Sequence, residues 1–61
     1  MKRYVKELAL DMIARSKGMQ KEYRYRYICE IKQIVAYTEQ GLITDFEAVT
    51  TLVNLPDKLF G

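Results

Sequence analysis

Histidine and tryptophan are absent from this 61-residue chain, cysteine and proline occur once each, and glycine occurs three times. Each shortage removes a class of answer. Without histidine, the commonest general base and metal ligand is missing. One cysteine cannot form a disulfide within the chain, and a zinc site built from cysteine and histidine fails on ligand count. Gly18, Gly41 and Gly61 stand too far apart to form a phosphate-cradling loop. No run of about 18 apolar residues occurs, so no segment is expected to span a membrane. A chain this short seldom closes a dry catalytic pocket. The expectation is a non-enzymatic protein with no cofactor, no metal and no small-molecule substrate.

What is present describes a folded, soluble chain. Apolar residues make 49% of it and charged residues 30%, a balance outside the disordered range. The length allows one domain, residues 1–61. A domain of about 60 residues buries only about 60% of the surface its unfolded chain exposes. Such a core is marginal without a staple or a partner, which points to work in a complex. The basic start Met1-Lys2-Arg3 leads into no signal-type apolar region, because Lys6, Glu7 and Asp11 interrupt it. With its single cysteine, the chain is expected to be cytoplasmic. Charge is uneven. Residues 1–30 carry eight basic and four acidic groups, a net +4, and residues 31–61 carry two and four, a net −2. The halves can attract each other within one chain or between copies.

Apolar spacing predicts three helices, an all-α fold arranged as a three-helix bundle or as a helical hairpin with a short third helix. The first runs from about Lys2 to Ser16, with Val5, Leu8, Ala9, Met12 and Ile13 on one face and Leu10 and Ala14 near the opposite side. Lys17-Gly18 is expected to end it, with glycine in the left-handed conformation. The second runs from about Gln20 to Gln40. Its core stripe is Tyr27, Ile31, Ile34 and Thr38, widened by Tyr23, Ile28 and Val35, and Gly41 stops it. Thr44-Asp45-Phe46-Glu47 matches a capping box that opens the third helix, with Ile43 and Ala48 placed to form a small staple. Phe46, Val49 and Val53 are taken as its inward face, flanked by Leu52, so that Phe46→Ala would cost roughly 3–5 kcal/mol. Asn54-Leu55-Pro56 is expected to end this helix. Asp57 to Gly61 are expected to make a last turn, with Leu59 and Phe60 folding back as a plug.

The stretch from Ile31 to Val53, centred on Gln40-Gly41-Leu42-Ile43-Thr44-Asp45-Phe46-Glu47, resembles the helix–(Gly-x-Ile-Thr)–helix hairpin of the short bacterial oligomerisation modules called SHOCT domains. That resemblance implies protein association without catalysis. Ala48, Val49, Thr50 and Thr51 stand where those modules carry charged residues. In size and composition the chain also resembles small proteins of Gram-positive phages and mobile elements, which implies a host protein as target.

Two surfaces invite a functional reading. Lys21-Glu22-Tyr23-Arg24-Tyr25-Arg26-Tyr27 interleaves cations with rings, as nucleic-acid binders do, since arginine pairs with phosphate while rings stack on bases. Helical phase splits the set, however: Tyr23 and Tyr27 belong to the core stripe, Arg24 lies near the core side, and Tyr25 and Arg26 point outward. The second surface is the back of the same helix. Tyr25, Cys29, Lys32 and Ala36 follow i, i+4, i+7 and i+11, a stripe opposite the core. Cys29, lacking a histidine partner, is read as a small surface residue. The expected contact residues are Tyr25, Arg26, Cys29, Lys32 and Ala36, with Arg24 and Leu10 next. The expected partner is another protein, for which the chain acts as inhibitor or adaptor, or a second copy in a homodimer. The alternatives are a nucleic-acid-binding regulator using Lys21–Arg26 and a self-assembling structural piece.

Overall fold

A computed structural model describes residues 2–60, with side chains described for residues 3–57. Three helices form: α1 (Lys2–Arg15), α2 (Lys21–Glu39) and α3 (Asp45–Phe60), with a 3-10 turn, Ser16–Gly18, between the first two. Each helix packs on the other two. The radius of gyration is 11.1 Å, close to the about 10.5 Å of a compact chain this long. Among the described residues no helix is long and apolar enough to cross a membrane.

On α1, Val5 and Ala9 are buried, and Leu8, Met12 and Ile13 are half-buried against them. The helix does not close through a left-handed Gly18; among the described residues the positive-φ position is Gly41. Ser16 does this work instead. Its buried hydroxyl donates to the Ile13 carbonyl at 2.6 Å, and its own carbonyl accepts from the Met19 N–H at 3.0 Å. A tightened 3-10 turn thus satisfies carbonyls that a helix end leaves open, without a left-handed residue.

The four residues of the α2 core stripe, Tyr27, Ile31, Ile34 and Thr38, are all buried. The Thr38 hydroxyl donates to the Ile34 carbonyl at 2.9 Å, so this polar side chain enters the core satisfied. Burial also pushes the Tyr27 hydroxyl above its ordinary pKa. Tyr23 departs from expectation at 52% exposure. It shares the core phase, but it sits in the first turn of α2, and phase alone does not supply a neighbouring helix.

The α2–α3 corner follows local chemistry. Gly41 takes φ 79°, its N–H donates to the Thr38 carbonyl at 3.1 Å, and the Leu42 N–H donates to the Tyr37 carbonyl at 2.9 Å. These two bonds make a Schellman closure. A Cβ at Gly41 would meet nothing within 4 Å, so the demand for glycine is purely conformational. The capping box then opens α3: the Glu47 N–H donates to Thr44 Oγ1 at 3.1 Å and the Thr44 N–H to Glu47 Oε1 at 2.9 Å.

Helix α3 corrects the sequence expectation twice. Its inward face is Ala48, Leu52 and Leu55, all buried, while Phe46 is 80% and Val53 62% exposed and Val49 is half-buried. At 3.6 residues per turn the two stripes lie about 140° apart. The smaller stripe wins because Ala48 lets α3 approach α1 and α2 closely, where a phenylalanine would hold it off. The staple pointed the same way, since Ile43 packs on the cluster that contains Ala48. The second correction is at the end. The helix runs through Pro56 to Phe60. Proline removes an N–H that would bond to residue 52 and disfavours a helical residue before it. Leu55 is that residue, and its full burial stabilises the helical path by about 1.5–3 kcal/mol. The side chains of Leu59 and Phe60, expected as a plug, and Gly61 lie outside the described residues.

Three outcomes follow for urea denaturation. Leu52→Ala is expected to lower stability by about 2–5 kcal/mol, and Phe46→Ala to change it by less than about 0.5 kcal/mol. Pro56→Ala, which restores a helix hydrogen bond, is expected to raise stability by about 1–3 kcal/mol. A shift of the midpoint in the opposite direction would contradict the inward face or the uninterrupted helix.

Candidate interaction surface

The side of the bundle away from α3 carries an open groove of about 250 Å³ between α1 and α2. Ala9, Leu10 and Ile13 supply the α1 wall, Val35 and Ala36 the α2 wall, and the wholly buried Ile31 the floor. Lys6 and Glu39 join across the two helices at 3.0 Å and lie on the rim, with Lys32 beside them. This pair is where the charge difference between the two halves of the chain acts within one molecule.

Three of the expected contact residues therefore meet. Leu10, 64% exposed, comes from α1, and Lys32 and Ala36 come from the back stripe of α2. Tyr25, 73% exposed, borders a second hollow of about 210 Å³ near the start of α2, with Lys21, Arg24 and Ile28. Cys29 and Arg26 are exposed. Cys29 sits on the same stripe between the two hollows, whereas Arg26 lies about 100° around α2 from Tyr25. Among the described residues three ion pairs form: Lys6 with Glu39, Arg3 with Glu7 and Arg15 with Asp11. Lys32 takes part in none of them.

Arg24 is half-buried, and its Nε donates to Ser16 Oγ at 3.3 Å. Since that same hydroxyl closes α1, Arg24 ties the start of α2 to the end of α1. Sequence reasoning placed its stem near the core side but had no means to find this partner, eight residues away across a turn. It also missed a second exposed apolar surface, Phe46 and Val53 on α3 with Leu42 in the preceding turn. The spacing that suggested a core face there was sound; the direction it faces was not legible.

Among the described residues, no three His, Cys, Asp or Glu side chains gather closely enough to hold a metal ion. What the groove offers is apolar area with one unpaired cation on its rim. That chemistry suits the apolar face of a helix. Comparison with known proteins returned no matching family model, and no curated protein or solved structure that matches the chain significantly.

Removing the side chain of Arg24 by Arg24→Ala is expected to lower stability by about 0.5–1.5 kcal/mol through its lost bond to the buried Ser16. Arg26→Ala is expected to change it by less than about 0.5 kcal/mol. Thermal melting of both variants checks the difference.

Proposed function

We propose that the chain is a small protein-interaction module that acts in the cytosol as an adaptor or inhibitor, taking an amphipathic, acidic helix of its partner into the α1/α2 groove. One observation carries this reading. Leu10, from the first helix, and Lys32 and Ala36, from the back of the second, line one open apolar groove on the face that no part of α3 covers. A helix laid there would complete a four-helix arrangement around the existing core. Small Ala36 admits a close backbone, exposed Leu10 gives an apolar anchor, and Lys32 attracts an acid.

The surface area supports the same reading. A monomer of 7.2 kDa exposes about 4,100 Å² by the usual area–mass relation, and this chain exposes 4605 Å². The resemblance of Ile31–Val53 to oligomerisation hairpins adds to it. The nucleic-acid alternative draws less support from the placement of its residues. Arg24 is engaged with Ser16 and Arg26 lies away from Lys21 and Tyr25, so the basic stretch does not present one continuous face.

The test is fluorescence anisotropy with a labelled synthetic peptide, an acidic amphipathic helix bearing leucine or phenylalanine at i, i+3 and i+7. Saturable binding is expected, weakened at least about tenfold by Leu10→Glu, which is about 1.4 kcal/mol. Added salt is expected to weaken it modestly, because only rim charges contribute. Absent saturation, or equal binding by Leu10→Glu, would overturn the reading.

A further inference from the structure

We infer that the helix filling the α1/α2 groove is α3 of a second copy of this chain, docked head to tail. The inference rests on the groove reading above and names its occupant. Helix α3 has the chemistry the groove asks for. Phe46 and Val53 are exposed on the side of α3 turned away from its buried stripe, Val49 between them is half-buried against the core, and Leu42 lies exposed in the turn before the helix. From Asp45 to Asp57 the helix has three acids and no basic residue. Asp57 falls one turn beyond Val53 on the same side, and Asp45 and Asp57 take part in none of the ion pairs among the described residues. The charged residues around the groove are Lys6, Lys32 and Glu39; Lys6 and Glu39 pair with each other, which leaves Lys32 as the cation that takes part in none of those pairs. Each copy thus has one acidic apolar helix face and one apolar groove with a free cation.

The geometry also settles how such copies would join. Phe46 and Val53 lie about 140° around α3 from its buried stripe, and the groove is lined by α1 and α2 alone, so the two faces lie on different sides of the molecule. Two copies cannot exchange helices reciprocally in a closed pair. A contact of this kind is heterologous and repeats, building open chains or closed rings of more than two copies as concentration rises. One helix on one groove is small beside the about 800 Å² per partner of a standard interface, so the assembly comes apart on dilution.

Light scattering and sedimentation velocity across a dilution series test this, with wild type, Leu10→Glu and Phe46→Glu. Both substitutions fall on exposed side chains, and far-ultraviolet circular dichroism checks that each variant keeps its helices. Wild type is expected to pass beyond dimer mass at high concentration, and each variant alone to stay at the mass of one chain. Mixed together, the variants should form a one-to-one pair and nothing larger, since Leu10→Glu keeps a good α3 and Phe46→Glu keeps a good groove. A closed dimer insensitive to either change overturns the inference, as does a mixture that fails to pair. If wild type stays monomeric throughout yet binds the synthetic peptide through Leu10, the second-copy occupant is overturned and the groove reading stands. If the peptide also fails, both fall.

Discussion

A chain of this length can close only one core, and the packing here depends on a single stripe of α2. Tyr27, Ile31, Ile34 and Thr38 face α1 and α3 together, with Ile31 wholly buried. Everything else is arranged to reach that stripe. Val5 and Ala9 bring α1 to one side of it, and Ala48, Leu52 and Leu55 bring α3 to the other. Even the polar member obeys the constraint, since Thr38 turns its hydroxyl back to its own helix and presents its methyl group to the core.

With the core concentrated there, the turns have one task, to set the angle and phase of the flanking helices. The α1–α2 connection does so through Ser16 and Arg24, and the α2–α3 corner through Gly41, Thr44 and Glu47. Both close with hydrogen bonds among residues at most eight apart. Such bonds contribute about 0.5–1.5 kcal/mol each, little beside the packing, but they choose which packing forms.

A three-helix core of this size leaves apolar area outside. The groove between α1 and α2 and the exposed Phe46 and Val53 of α3 are two such places. They differ in origin: the groove is an uncovered part of the α1–α2 seam that reaches down to Ile31, and the exposed Phe46 and Val53 lie on the back of a helix whose front is spent on the core. In a larger domain a fourth helix would cover one of them. In the proposed assembly a second copy does so, with Lys32 on the groove rim set against the acidic residues of α3.

Periodicity and capping chemistry determined a good deal alone. The three helices, the buried quartet of α2, the glycine closure at Gly41 and the box at Thr44 and Glu47 all follow from residues within about one or two turns of each other. Local hydrogen bonding and the 3.6-residue repeat act at that range, so they are written in consecutive residues. Tertiary structure decided what lay beyond it. Whether α3 turned Phe46 or Ala48 inward depended on how closely two other helices could approach, and the bulkier residue lost. Whether the helix could pass Pro56 depended on the burial of Leu55. That Leu10 should join Lys32 and Ala36 depended on how α1 packs against α2. Each is a matter of volume between segments far apart in the chain, which no pattern along a single segment records.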